Sequence, residues 1–280
     1  MHLTDNEIIK LEHQANEIRQ SIIVALVEAG SGHTASSLGM ADIMTALYFH
    51  CMHHDSGNPT MPDRDRLVLS NGHVCPVLYA TLAHAGYFPI DELKTLRKFG
   101  SRLQGHPHRD FLPYLETSSG PLGSGLSQIA GMALANRIDN GTTSHMCFYC
   151  TVGDGELNEG NNWEAIMLLG KEKLGSVIVI VDRNLIQIDG NTEDVMPLGD
   201  LTKKFEVFNW HTQEIDGHNF EEIVGAINRA KAVNDRPSVI VARTIPSKGV
   251  TKWEYDFKWH GKAPSPEEGE YALKELTLRK

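Results

Sequence analysis

Apolar residues recur three and four positions apart at Ile8, Leu11, Ala15, Ile18, Ile22 and Leu26, a spacing that predicts one amphipathic helix. Thr4 and Glu7 stand where a capping box would open it, and Gly30 where it would stop. Residues 31–38 read as a small-residue loop, after which Met40, Ile43, Met44, Leu47 and Tyr48 mark a second helix. Short apolar runs rich in β-branched residues then alternate with helical patterns. Residues 66–70, 147–152, 177–181, 211–215 and 238–243 read as strands. Helices are expected through Ala130, Met132 and Leu134 to Arg137, from Glu156 past Trp163, and along Phe220, Ile223, Val224 and Ile227. Ser265-Pro266-Glu267-Glu268 caps a last helix that carries Tyr271, Leu273, Leu276 and Leu278. This alternation predicts an α/β fold, a single domain over residues 1–280 with a mainly parallel sheet and helices on both faces. The polar, irregular stretch over residues 109–119 is expected to lie outside the core.

Two strand exits carry the candidate chemistry. Gly153-Asp154-Gly155 follows one apolar run, and Asp182-Arg183-Asn184 ends the next, thirty residues later. In open parallel sheets ligands sit at the carboxyl ends of the strands, so a βαβ unit brings this carboxylate and this side-chain amide together. Hard oxygen donors there suit Mg2+ or Ca2+ better than zinc. Free backbone N–H groups of the glycine turn at Gly153, Gly155 and Glu156 suit phosphate oxygens. By itself Gly-Asp-Gly is also an ordinary tight turn.

Composition narrows the function classes. At 280 residues, 41% hydrophobic and 22% charged, the chain has ample apolar content for a core. A net charge of −10 without a basic stripe argues against a nucleic-acid surface. No apolar run approaches the roughly 20 residues of a membrane helix, and the N-terminus lacks a signal-peptide pattern, so a cytoplasmic location is expected. Cys147 and Cys150 form a Cys-x-x-Cys, but an odd separation along a strand sends them to opposite faces. All four cysteines read as buried structural thiols.

The words Gly153-Asp-Gly-Glu-Leu-Asn-Glu-Gly160, Trp163-Glu-Ala165 and Val181-Asp-Arg-Asn-Leu-Ile-Gln-Ile-Asp-Gly190 resemble the transketolase family, whose thiamine diphosphate motif is Gly-Asp-Gly followed by an asparagine. The resemblance implies that Asp154, Asn184 and the Ile186 carbonyl hold Mg2+, with Ca2+ or Mn2+ as substitutes, and that the metal bridges thiamine diphosphate. Ser31-Gly-His33, Ser70-Asn-Gly-His73, Gly105-His106-Pro107 and Trp259-His260-Gly261 match four further family words. It follows from them that His33, His73, His106 and His260 face substrate and cofactor, where imidazoles titrating near neutrality would move protons. Taken singly, a histidine is more often a solvated or hydrogen-bonded structural residue. Gly120 and Leu122, in Gly120-Pro-Leu-Gly, inherit a cofactor contact, although the bare word is a Pro-Gly turn. Glu159 and Glu164 lie roughly 140° apart on a helix, too far round to form one carboxylate pair, and read as solvated. For them the resemblance implies a carboxylate network reaching a partner. Thr34 replaces the family's usual proline, Ala35 its glycine, and His108 an acidic residue.

The resemblance covers nearly the whole chain but only the first domain of a full transketolase. It implies transfer of a two-carbon ketol unit from a ketose, or ketose phosphate, to an aldose. It further implies a separate C-terminal subunit supplying the pyrimidine-binding domain, in a heterotetramer of two such pairs. A 2-oxoacid dehydrogenase α subunit or a 1-deoxyxylulose-5-phosphate synthase relative would share the metal motif. A non-catalytic cofactor-binding homologue would keep the fold.

Overall fold

A computed structural model describes residues 3–141 and 144–278. Thr4 caps α1 (Asp5–Ala29) through the expected box: its hydroxyl accepts from Glu7 N–H, and the Glu7 carboxylate accepts from Thr4 N–H at 2.8 Å. Gly30 ends α1 in the left-handed region at φ 63°. The small-residue stretch that follows departs from expectation: residues 35–39 form the short helix α2 (Ala35–Gly39), continued by α3 (Ala41–Ala46) and a π-helical turn, Leu47–Cys51. Gly39 permits this, since a Cβ there would come within 3.0 Å of the Ile245 carbonyl oxygen.

The sheet is built from β1 (Arg66–Leu69), β2 (Phe148–Gly153) and β3 (Val177–Arg183), followed after a small hairpin of β4 (Ile186–Gln187) and β5 (Gly190–Asn191) by β6 (His211–Asp216) and β7 (Ser238–Arg243). Its order is β1-β2-β3-β7-β6, every pair parallel. Leu67, Leu69, Tyr149, Ile178, Ile180 and Ile240 face one core, with α1, α3, α4 (Cys75–His84) and later α9 (Phe220–Lys231). Val68, Cys150, Val152, Val179, Val181 and Val241 face the other, with α5 (Gly125–Asn140), α6 (Gly160–Glu172) and α8 (Leu201–Glu206). β1, β2, β3 and β7, buried on both sides, read as continuous apolar runs, which is why the sequence announced them, whereas the edge strand β6 is mostly polar and part-exposed. A single turn, α7 (Thr192–Val195), follows the hairpin, and α10 (Pro266–Leu278) packs along α1.

Four expectations need correction. Leu112 and Leu115 are buried, so the irregular stretch over residues 109–119 plugs the core despite lacking regular structure. The helix expected from Glu156 opens instead as a 3-10 turn, Gly155–Asn158, and α6 begins only at Gly160. Cys147 lies one residue before β2 and is only partly buried, unlike Cys51, Cys75 and Cys150. Cys147 and Cys150 do join opposite cores. Leu278, at the exposed end of α10, is 77% exposed rather than packed.

Candidate functional site

β2 and β3 are adjacent, and their tips converge on one cleft. Asp154 follows β2 and is 1% exposed; its N–H donates to Asp182 O at 3.1 Å, extending the ladder by one residue. Its Oδ1 accepts from Gly155 N–H at 2.7 Å and its Oδ2 from Leu185 N–H at 2.8 Å. Asn184, 5% exposed, accepts from Ile186 N–H at 3.0 Å and donates to Asp182 Oδ2 at 2.8 Å and Ser36 Oγ at 2.9 Å. The chain leaving β3 therefore folds back around the side chain leaving β2. Leu185 adopts φ 65° to make this turn.

The resulting cleft, about 230 Å3, is lined by Asp154, Asn184, Ile186, Glu156, His73 and His260 among others. A wider groove of about 1120 Å3 beside β6 and β7 includes Arg183, His218 and Arg243 but none of the ligand candidates. The smaller, better-walled cleft is where the candidate chemistry converges.

Charge in the cleft is dense and incompletely balanced. Burial raises the Asp154 carboxyl above its usual range, opposed by the Leu185 N–H and the Arg183 guanidinium at 3.1 Å. Burial, reinforced by the Asp154 charge, pushes the Asp182 carboxyl up to about 7, even though the Thr244 hydroxyl donates to it. Two buried carboxylates beside an amide oxygen form a hard-oxygen environment that a divalent cation would neutralise. Among the described residues no group of three or more His, Cys, Asp or Glu is arranged to hold a metal. A set made of Asp154, the Asn184 amide and the Ile186 carbonyl would need no such group.

Opposite the carboxylates stand the histidines. His33 and His73 have ring centroids 4.9 Å apart, His73 and His260 5.3 Å, and His33 and His260 5.8 Å. Neither His33 Nδ1 nor His260 Nδ1 has a hydrogen-bond partner, though both atoms are buried. Buried polar atoms without partners are costly, and a hydrogen-bonding ligand would satisfy these two. The structure corrects the expectation of neutral-range titration. Burial, with His260, Arg97 and His106 adding repulsion, pushes His33 down to about 4. Burial and the neighbouring imidazoles also hold His73 well below its usual range, burial lowers His260, and burial with Arg97 lowers His106. His73 and His260 line the cleft, and the His33 ring packs against both. His106 stands apart from the other three, exposed, its ring beside Gly120.

Glu156 holds the floor together. Only 3% exposed, it accepts from the Ser70 hydroxyl, from Gly123 N–H at 2.9 Å and from Gly153 N–H at 3.1 Å. It thus ties the β1 exit, the Gly120-Pro-Leu-Gly123 loop and the β2 tip into one cradle, which explains why α6 starts late. Gly120, at φ 150°, lets that loop turn, and a Cβ on Gly155 would crowd Gln187 at 3.0 Å. The missing proline beside His33 is also accounted for: the Thr34 hydroxyl donates to Lys262 O at 2.6 Å, tying the His33 loop to the segment that carries His260. His108 is half-buried and stacks edge-on against Phe111. Glu159 and Glu164 are exposed and outside the cleft, and Leu122 lines its rim at 41% exposure. Ser36, Asp182, Arg183 and Thr244 escaped notice in the sequence, since nothing in their spacing announces a buried network.

Residues 11–277 match the family described as transketolase, thiamine diphosphate binding domain. The chain is 42% identical to the 6-deoxy-6-sulfo-D-fructose transketolase subunit SqwG of Clostridium sp. (strain MSTE9), covering 96% of each protein. It is 37% identical to the transketolase of Mus musculus, covering 98% of this chain but 43% of the longer protein. The solved structure of transketolase from Leishmania mexicana superposes at a TM-score of 0.89 with 34% identity, over 95% of this chain and 41% of that one. No helix among the described residues is long and apolar enough to cross a membrane.

Proposed function

Since the chain belongs to the transketolase family as its thiamine diphosphate-binding domain, we propose that it is the diphosphate-holding subunit of a two-chain transketolase. The complete enzyme moves a two-carbon ketol unit from a ketose to an aldose. The observation that carries this is the convergence of the β2 and β3 tips on one cleft, with Asp154 and Asn184 facing a cluster of neutral histidines. Asp154, Asn184 and the Ile186 carbonyl would hold Mg2+, with Gly153, Gly155 and Glu156 shaping the diphosphate cradle. Thiamine diphosphate, when bound, supplies the carbon centre to which the two-carbon unit is temporarily attached.

This chain's own residues bind and orient. Neutral His33, His73 and His260 can each accept one proton and donate another, as sugar hydroxyls require. His106 adds an imidazole at the mouth. Exposure of Glu159, Glu164 and Leu122 suits contact with a partner carrying the pyrimidine-binding domain, in a heterotetramer of two pairs. Near-complete two-way coverage of a relative named as a subunit supports that division. Free thiols at Cys51, Cys75, Cys147 and Cys150 suit the reducing cytoplasm. The deciding experiment mixes this chain with the partner, thiamine diphosphate and Mg2+, and follows ketol transfer from ketose to aldose. Absence of transfer from every phosphorylated, sulfonated and neutral ketose tried would reject the activity.

A further inference from the structure

His33 and His260 come from opposite ends of the chain, yet their rings sit 5.8 Å apart and edge-on at 90°. An imidazole is often oriented by a hydrogen bond from Nδ1 to a carbonyl or carboxylate. Neither ring makes one, although both Nδ1 atoms are buried. Their placement therefore comes from packing and from the backbone that carries them. On one side, the Ser37 hydroxyl donates to His33 O at 2.6 Å. On the other, His260 follows the turn Phe257–Trp259 and donates its N–H to Phe257 O at 2.8 Å. Trp259 stacks on Trp253 with ring centroids 3.8 Å apart, and Lys262 Nζ lies 3.9 Å over the Trp259 ring. The same ammonium pairs with Glu268 at 2.5 Å. Each of these contacts works within one histidine-bearing segment.

Two hydrogen bonds join the segments. Ser247 N–H donates to Ala35 O at 2.9 Å, and the Thr34 hydroxyl donates to Lys262 O at 2.6 Å. The second lies nearer both rings in sequence, since Thr34 adjoins His33 and only Gly261 separates Lys262 from His260. Thr34 is fully buried and stands at the N-cap of α2, where a threonine hydroxyl ordinarily accepts from the helix. It makes no such bond and reaches across to Lys262 instead. A proline in its place would fix φ but offer no donor to the other segment. We propose that Thr34 is a positioning residue: its hydroxyl straps the two segments together and holds the His33 and His260 rings at the spacing and angle the reaction uses. The reaction is that of the transketolase reading above, on which this role rests; the strap itself does not depend on it. A misplacement of about 1 Å at a reacting group can cost on the order of a hundredfold in rate, so such a tie acts on turnover rather than on cofactor affinity.

The test uses the complex of this chain with its partner, loaded with thiamine diphosphate and Mg2+, as wild type, Thr34→Val and Thr34→Ser. Valine keeps the branched shape without the hydroxyl, and serine keeps the hydroxyl. With protonated histidine in this chain alone and a deuterated background, nuclear Overhauser contacts between the His33 and His260 ring protons report their spacing. The contact should be present in wild type and Thr34→Ser and lost or clearly weakened in Thr34→Val. For ketol transfer, kcat should fall about tenfold in Thr34→Val, the worth of one hydrogen bond, and recover in Thr34→Ser. Calorimetric affinity for thiamine diphosphate with Mg2+ should stay close to wild type in both variants. An Overhauser contact absent from wild type, or persisting in Thr34→Val, overturns the strap. A lost contact with unchanged kcat overturns the positioning role, as does a cofactor affinity that falls in step with kcat. A deficit that Thr34→Ser does not recover overturns it as well. If wild type transfers no ketol unit, the activity is rejected, and the Overhauser comparison alone decides the strap.

Discussion

Leu185 donates its backbone N–H to Asp154 Oδ2 at 2.8 Å, so the loop leaving β3 hangs on the carboxylate that leaves β2. The same oxygen meets Arg183 at 3.1 Å. A candidate metal ligand is thus also the organiser of the segment that carries the other two, Asn184 and Ile186.

That double duty predicts a compound defect. Asp154→Asn preserves shape but replaces one acceptor oxygen with a donor facing Leu185 N–H, Arg183 or Gly155 N–H. Affinity for thiamine diphosphate with Mg2+ should fall at least about a hundredfold by calorimetry, given that outer-shell partners alone cost 10–100-fold. An affinity within a few-fold of wild type would remove Asp154 from the metal set.

Glu156 receives three donors, the Ser70 hydroxyl and the Gly123 and Gly153 N–H groups. Glu156→Gln keeps one acceptor oxygen and sets an N–H against a donor, at a cost of about 1–3 kcal/mol in denaturant unfolding. Glu156→Ala leaves the Ser70 hydroxyl and the Gly123 and Gly153 N–H groups without it and should cost more. If both variants unfold like wild type, the cradle is not held by this carboxylate.

Acid stability follows from the lowered histidines. A histidine whose folded pKa lies below its unfolded value of about 6.5 binds fewer protons when folded, so its contribution is fully present above that pH. For His33 it is lost progressively as pH falls from about 6.5 towards about 4. His73, His260 and His106 shift in the same direction. The raised Asp182 carboxyl acts in the opposite sense over this window, so the test is the difference: on acidification wild type should lose more stability than His33→Gln. Identical slopes in the two proteins would contradict the burial argument.

Away from the cleft, Asp42 is 5% exposed and accepts from Arg19 Nη1 at 3.0 Å and from His218 Nδ1 at 2.6 Å, while His218 Nε2 accepts from Ile245 N–H at 2.7 Å. Burial opposes ionisation of Asp42, but Arg19 and His218 outweigh it and hold the carboxyl low. Asp42→Ala strands a buried guanidinium and should destabilise the chain by about 3–5 kcal/mol. Arg19→Met added to Asp42→Ala should recover part of that loss in chemical unfolding; a double variant weaker than the single one would sink the explanation.

Where side-chain chemistry repeats with a fixed period, the sequence was sufficient. Four of the five main strands were legible because they are buried on both faces, the edge strand β6 being mostly polar and part-exposed, and α1 because Thr4, Glu7 and Gly30 mark its ends. Asp154 and Asn184 were legible because strand exits in a parallel sheet point to one edge. The four-residue retreat of α6 was not, since it depends on Glu156 turning inward to donors from two distant segments. Leu112 and Leu115 were missed for a related reason: irregular backbone has no period, yet it can fill a core.

By itself the sequence determined the alternation of strands and helices, the βαβ placement of the Gly-Asp-Gly turn and Asn184, and the family words, all consequences of local spacing. Only the tertiary structure decided which residues share the cleft and in what charge state. Ser36, Asp182, Thr244 and the three clustered histidines meet across long stretches of chain, and burial lowers the imidazoles while raising the carboxyls. Proximity between residues far apart in sequence, and the loss of water around them, are properties of the packed molecule that no local pattern encodes.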